Sequence, residues 1–504
     1  MRKTLTGLIL RPHQKESALI KLCEKKLHAH CRYFKILKKS LDARDKSDIR
    51  WVYSVECGTE PVPRVFRQVK GKPRVVIAGA GPAGLFCALR LIDHGVAPVI
   101  LERGKRVEER AEDIRKFTQT GVLDPDSNVQ FGEGGAGAFS DGKLNTQTND
   151  VRNRDVLDTF VRFGAPEEVG YLGKPHVGSD NLKKVVANIR AYIQEHGGEF
   201  RFSEQLTDVR IRDGRLAEIV TTRGSEPCDE LVLAVGHSAR DTFEMLLSRG
   251  FVIEQKEFAV GVRMEHLQEK IGRAQYGAGY AALPPADYKL VSHASDRGVF
   301  TFCMCPGGVV IPAASEEGGV VTNGMSDFAR AGRNANSALV VQVFRSDFGS
   351  EHPLAGVQFQ RKLERAAFAA AGGGYRAPVQ LVGDFLADKE SYYFGEVRPT
   401  YAPGTAFVPM QAIFPRAVTD AMKAALPDMN ARLSGIAAYE SVLTGVESRT
   451  SSPVRIVRGP DLQAAGIAGI YPCGEGCGYA GGITSAAADG IRVAEALAEK
   501  YAEI

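Results

Sequence analysis

Apolar and polar positions change period several times along the chain, and each change marks an element. Thr4 to Leu10 reads as a strand, Gln14 to Leu27 as a helix, and Tyr33 to Asp42 and Asp48 to Cys57 as two further strands. This predicts a small β-α-β-β module over residues 1–70, closed by a linker punctuated at Pro61, Pro63, Gly71 and Pro73. Arg74 to Ala78 is a short β-branched run suited to a buried parallel strand. Apolar residues then recur at Ala83, Phe86, Cys87, Leu89, Leu91 and Ile92, as on a helix packed against a sheet, and Pro98 to Leu101 returns to a strand. A hairpin across Asp213-Gly214 precedes another strand, Cys228 to Val235. Between Thr242 and about Met429 the helix-strand alternation is lost. Strand-like runs at Ala259 to Met264, Tyr288 to Leu290, Val299 to Cys303, Val309 to Ile311 and Leu339 to Phe344 predict an antiparallel sheet, with helices such as Gln358 to Ala371. A late strand near Ile470 and a helix from Thr484 to about Tyr501 close the chain.

The turn between the first parallel strand and its helix carries the most information. Gly79, Gly81 and Gly84 form G-x-G-x-x-G, with Pro82 and Ala83 inside it, and Glu102 ends the next strand 21 residues after Gly81. Gly79 permits the tight turn, Gly81 lets the backbone approach a pyrophosphate, and Gly84 lets helix and strand pack closely. The helix N-terminus offers free amides and a positive partial charge to phosphates, and Glu102 would accept from ribose hydroxyls. Strand, turn, helix, strand and acid together are a dinucleotide-binding fingerprint of Rossmann type.

Glu102-Arg103-Gly104 resembles the ending of this unit in FAD enzymes of the glutathione-reductase and p-hydroxybenzoate-hydroxylase type. Ala234-Val235-Gly236 resembles the A-T-G turn of the same fold, with Val235 in place of the usual Thr. Gly474 and Glu475 resemble its closing motif, whose carboxylate reaches the ribityl chain, and Gly481, Gly482 and Ile483 open the last helix. Across the whole chain the sequence resembles the bacterial FAD-dependent, or NAD(FAD)-utilizing, dehydrogenases. The stretches that carry it are Lys39 to Arg44, Phe131 to Leu144, Pro175 to Leu182, Phe258 to Glu265, Cys305 to Gly308 and Gly445 to Pro453. The resemblance implies an α/β chain with a Rossmann-type FAD-binding domain at 73–241 and 440–504. An inserted α+β substrate or cap domain would span 242–439, and the module at 1–70 would be ferredoxin-like. It also implies non-covalent FAD. The glycine-rich loop with Gly134, Gly135, Gly137, Ser140, Gly142 and Lys143 is expected against the flavin and its pyrophosphate, because its backbone can approach a flat ring closely. Arg103 and Gly236 are expected to join them.

At 504 residues the chain exceeds what one core supports, so several domains are expected. It has no 18-residue apolar run and its first ten residues lack a cleavable leader pattern, which makes a cytoplasmic protein without a membrane span the expectation. Nine cysteines do not form a secreted disulfide framework. Neither Cys303 with Cys305 nor Cys473 with Cys477 has a second half at zinc-ligand spacing, so no metal site is expected. Residues 1–74 carry 19 Lys and Arg against 7 Asp and Glu, a basic unit on a chain of net charge +4.

Candidates for catalysis are few. Cys303 and Cys305 read as core thiols that do not readily pair. His237 stands just beyond a strand end, where ligands of such sheets bind. Glu447 and Arg449 lie in a polar cluster with Ser448, Thr450, Ser451 and Ser452, too dense to bury without partners. Arg263 and Glu265 read as a structural ion pair on one strand face. No second dinucleotide unit follows residue 150, so NAD(P)H would visit the flavin transiently, or the organic substrate would reduce it. The expected activity is FAD-dependent oxidation or reduction of an unidentified small molecule. Two alternatives are a flavoprotein that modifies nucleic acid such as tRNA, gripping it through the basic module, and an FAD-binding protein with a structural or regulatory role.

Overall fold

The computed structural model describes residues 2–28, 30–58, 66–70, 73–146 and 148–502. Pro61, Pro63 and Gly71 of the linker lie outside them. Strand β1 (Arg2–Leu10), helix α1 (Ala18–Leu27), strand β2 (Tyr33–Asp42) and strand β3 (Arg50–Gly58) form an antiparallel sheet of order β1-β3-β2 with one covering helix. Leu19 and Cys23 of α1 bury against Leu5, Leu8, Tyr53, Val55 and Cys57. The helix begins at Ala18, not Gln14, because the Gln14 side chain instead accepts from the Arg11 amide at 2.7 Å in the preceding turn. This module is docked on the rest of the chain. Lys39 donates its amide to Tyr171 at 2.6 Å and accepts from Gly173 at 2.5 Å, and Lys35 pairs with Asp158 at 2.8 Å.

Strands β4 (Val75–Ala78) and β5 (Val99–Glu102) lie in a five-stranded parallel sheet. Its order is Ile470–Pro472, Glu230–Leu233, β4, β5, Glu199–Phe202. Helix α2 (Pro82–Asp93) packs against the last helix, Ile483–Ala502, so closely that a Cβ at Gly490 would strike the carbonyl of Ala83. The hairpin Leu206–Arg212 to Arg215–Thr221 turns at Asp213 and Gly214, both with positive φ, the conformation a two-residue hairpin turn demands.

A seven-stranded sheet forms the second large core. Its order is Val291–Ser292, Val299–Cys305, Asn334–Val343, Phe258–Leu267, Val442–Glu447, Ala377–Leu381, Thr405–Phe407, antiparallel except for the last pair. Helices Ala355–Ala370 and Arg416–Arg432 accompany it. Val442–Glu447 corrects the boundary at residue 440. Buried on both faces and paired on both edges, it is a central strand of this sheet, and the chain returns toward the parallel sheet only after Glu447. The two-stranded pairing of Ile253–Gln255 with Val454–Ile456 marks both crossings.

Candidate functional site

A cleft lies beyond the carboxyl ends of β4, β5 and Glu230–Leu233, and the antiparallel sheet covers it. It holds about 1550 Å³ of empty space, its open mouth included. Gly79, Gly81, Pro82, Ala83, Glu102, Arg103, Gly135, Gly137, Ser140, Gly142, Lys143, Gly236, Glu475, Gly481, Gly482 and Ile483 all line it, as do His237, Cys303, Cys305, Glu447 and Arg449.

Gly84, in keeping with its packing role, and two residues expected at the ligand, Gly134 and Gly474, lie behind the wall. A Cβ at Gly84 would strike the Gly79 carbonyl, so Gly84 serves the approach of α2 to β4. Gly134 has φ of +83° and packs under Ala138 and Val186. Gly474, at +75°, packs on Ala83 and donates its amide to Asp489 at 2.8 Å. Gly79 has φ of +110°, and a Cβ there would run into the backbone of Ala234. Gly81, Gly236, Gly481 and Gly482 behave differently. An ideal Cβ at Gly81 comes no nearer than 3.8 Å to any atom, and at the other three nothing lies within 4 Å. Four glycines on the wall thus leave a cradle where side chains would stand.

The acidic groups are posed for a polar ligand. Glu102 accepts from the amides of Ala80 at 2.9 Å, Gly104 at 2.9 Å and Gly132 at 3.0 Å, which ties β5 to the glycine turn and the glycine-rich loop. Glu475 faces the cleft, and its carboxylate receives no hydrogen bond from any described residue. Burial pushes its carboxyl up to about 7, with Lys256 pulling the other way. The glycine-rich loop has an anchor that no local pattern announced. Arg110, fully buried on helix Val107–Thr120, donates to the carbonyls of Asn128 (2.7 Å), Val129 (2.9 Å), Glu133 (2.7 Å) and Gly135 (2.9 Å).

A hydrogen-bond chain fixes the tautomer of His237. Gln130 Nε2 donates to the Ala313 carbonyl at 3.1 Å, so Gln130 Oε1 faces Ser238 and takes its hydroxyl proton at 3.1 Å. Arg449 Nη1 donates to the same hydroxyl at 3.0 Å. Ser238 has no second proton to give, so His237 Nδ1, 3.0 Å away, is the donor. Nε2 is left as an acceptor on a cleft-lining ring. Burial, then Arg449 and Arg240, push this histidine down to about 3, so it stays neutral.

Arg449 is committed elsewhere. It donates to Glu364 at 3.0 and 2.9 Å and to Ser315 at 2.5 Å, and Arg240 meets the same carboxylate at 2.8 Å. Burial alone would raise Glu364, but Arg240 and Arg449 hold its carboxyl well below the usual range. Arg263 and Glu265 do not pair with each other. Arg263 Nε meets Glu447 at 3.0 Å, while Glu265 accepts from Asn334 at 3.0 Å and the Thr400 hydroxyl at 2.6 Å. Burial raises the Glu447 carboxyl against the pull of Arg263. Every Lys and Arg on the wall already has a carboxylate: Arg103 with Asp241 at 2.8 Å, Lys143 with Asp141 at 2.9 Å, and Arg449 with Glu364.

Cys305 is a buried thiol as expected, whereas the reading of Cys303 as a core thiol is corrected. Residues i and i+2 of a strand share one face. Here a bulge between Phe302 and Cys305, with Cys303 at φ +41°, brings both to the cleft wall. Cys303 is exposed, and the Cys305 thiol donates to the Cys303 carbonyl at 3.2 Å. Desolvation inside the cleft raises the Cys303 thiol, with Lys143 and Arg263 pulling it down. Among the described residues, no helix is long and apolar enough to cross a membrane.

Residues 257–450 match the family model described as FAD-dependent protein, C-terminal domain-like, and residues 1–58 match a domain of unknown function. A Clostridium beijerinckii protein described as uncharacterized is 47% identical over 481 residues, 94% of this chain and 89% of that protein. Among solved structures, a flavin-dependent brominase aligns over 86% of this chain and 80% of its own, at 14% identity and TM-score 0.38. The L-amino acid deaminase from Proteus vulgaris aligns over 87% and 95%, at 12% identity and TM-score 0.34.

Proposed function

We propose, for a chain that belongs to one family with the Clostridium beijerinckii protein, that the cleft holds FAD non-covalently and that the protein is an FAD-dependent oxidoreductase acting on a small molecule. The observation that carries the reading is the open cradle of Gly81, Gly236, Gly481 and Gly482, with the unpartnered Glu475 beside it. The match of residues 257–450 to a family described as FAD-dependent supports it independently.

In this reading the amides at the start of α2 receive the pyrophosphate, Glu102 holds the adenosine ribose from the cleft wall, and Glu475 accepts from a ribityl hydroxyl. The N-terminus of Ile483–Ala502 and the loop from Gly132 to Lys143 border the ring. When bound, the isoalloxazine supplies hydride and single-electron chemistry, and the chain supplies position and electrostatics. Glu447 holds one carboxylate oxygen against Arg263, and His237 presents a neutral acceptor nitrogen. Both orient hydrogen-bond donors on whatever occupies the cleft. NAD(P)H is proposed as a transient donor only. The nucleic-acid alternative draws on exposed Lys15, Lys21, Lys25 and Lys26 of the basic module.

The test is the identity of the flavin. Protein purified, or reconstituted with mixed flavins, should release FAD and no FMN on denaturation. A colourless protein that FAD cannot reconstitute would overturn the proposal.

A further inference from the structure

We propose that Cys303 and Cys305 form a dithiol–disulfide pair that exchanges an electron pair with the flavin in the same cleft and passes it to or from a small-molecule thiol or disulfide. The inference rests on the FAD reading above.

Both residues line the cleft, and Cys303 is exposed into it. In a regular strand, residues two apart are separated by roughly 6.6 to 7 Å, at the outer limit for a disulfide. The left-handed turn at Cys303 and the bulge beside it depart from that regular geometry. The Cys305 thiol already rests on the peptide of residue 303, 3.2 Å from its carbonyl. A non-glycine residue in the left-handed region persists only where its surroundings over-determine it, and such residues cluster at functional sites. Here the surroundings are explicit. Arg263 donates to the Cys303 carbonyl at 2.9 Å, Lys143 donates to the Met304 carbonyl, and Gly308 would press a Cβ onto Cys305 at 3.0 Å. Lys143 belongs to the glycine-rich loop, so the thiols and the expected flavin border share one anchor.

The step balances without a further reactant. In the oxidising direction the two S–H bonds break and one S–S bond forms, and the electron pair and both protons pass to the isoalloxazine. In the reverse direction the reduced flavin returns them and two thiols re-form. Cys303, the exposed member, attacks a small disulfide and releases one thiol; Cys305 then resolves the mixed disulfide and releases the second.

Anaerobic dithionite titration of the air-oxidised holoprotein tests this. Wild type should take up about four electrons per bound FAD, against about two for the C303S and C305S variants, since each redox pair takes two. In denaturant, oxidised wild type should show two fewer free thiols than its nine cysteines. Two electrons per flavin in wild type, with all nine thiols free, would overturn the inference while leaving the FAD reading intact. A protein that binds no FAD would overturn both. If the variants fail to fold, the wild-type electron and thiol counts decide alone.

Discussion

Gly81 and Gly84 stand three residues apart in one turn, yet the structure assigns them opposite kinds of sensitivity. A Cβ at Gly84 would strike the Gly79 carbonyl and lie 3.1 Å from Ile77 Cγ2, so Gly84→Ala forces backbone to move in the tightest part of the sheet. The expected cost is about 3 kcal/mol or more. At Gly81 the nearest atom to a Cβ is 3.8 Å away, and its φ of −79° and ψ of −176° are extended backbone that valine adopts readily. Gly81→Val should therefore change stability by no more than about 1 kcal/mol. Its side chain instead fills the space where the phosphates would lie. Loss of two charge-assisted hydrogen bonds, about 1.5 to 3 kcal/mol each, weakens FAD binding on the order of 10² to 10⁴-fold. Thermal melts followed by circular dichroism, with the flavin-to-protein absorbance ratio of each variant, separate the two effects. A Gly81→Val protein that keeps wild-type flavin occupancy would refute the placement of the pyrophosphate. A Gly84→Ala protein as stable as wild type would refute the packing argument.

Glu364→Gln leaves Arg240 and Arg449 facing a neutral amide in a buried setting, and should cost about 3 to 5 kcal/mol in denaturant unfolding; an unchanged midpoint would show that the pairs do not join the two sheets energetically. Glu364 and Asp141, the latter held low by Lys143 and Arg330 against its burial, both have depressed carboxyls in the folded state. Their stabilisation is fully present above the ordinary carboxylate range near pH 4 and is lost as pH falls below it, so melting temperature should drop on acidification and less steeply in Glu364→Gln. Anaerobic mixing of holoprotein with NADH or NADPH should bleach the flavin band if a pyridine nucleotide is the donor; an unchanged band removes both from that role. Deleting residues 1–70 should preserve FAD binding, because every cleft-lining residue is numbered 78 or higher, but should lower stability by exposing the surface that Lys39 covers at Tyr171 and Gly173. A truncated protein that folds yet binds no FAD would contradict this.

What could be read before the structure was local. The glycine turn, Glu102 and the closing motif each compress their geometry into a few consecutive residues, so spacing alone placed most of them on one cleft. Gly134 and Gly474 show the limit of that reading: a glycine beside a ligand and one that admits close packing look alike in sequence. Long-range partners left no spacing signal. Arg110 reaches its carbonyls across a helix and a loop, Glu364 meets Arg449 across 85 residues, and the Gln130–Ser238–His237 chain joins two loops. Val442–Glu447 was misassigned because a strand buried on both faces carries no mark of which sheet it enters. The bulge at Cys303 depends on pairing with Asn334–Val343, so it too appears only in three dimensions.

The central claim is that the cleft recognises both halves of a flavin dinucleotide, and calorimetric titration of flavin-free protein with FAD, FMN and NAD tests it most directly. FAD should bind one to one, and FMN far more weakly, because it lacks the adenosine that Glu102 would hold and the second phosphate that the α2 N-terminus would receive. NAD should bind weakly too, because it leaves Glu475 without its ribityl partner. FMN binding as tightly as FAD, or no binding of FAD at all, would contradict the account.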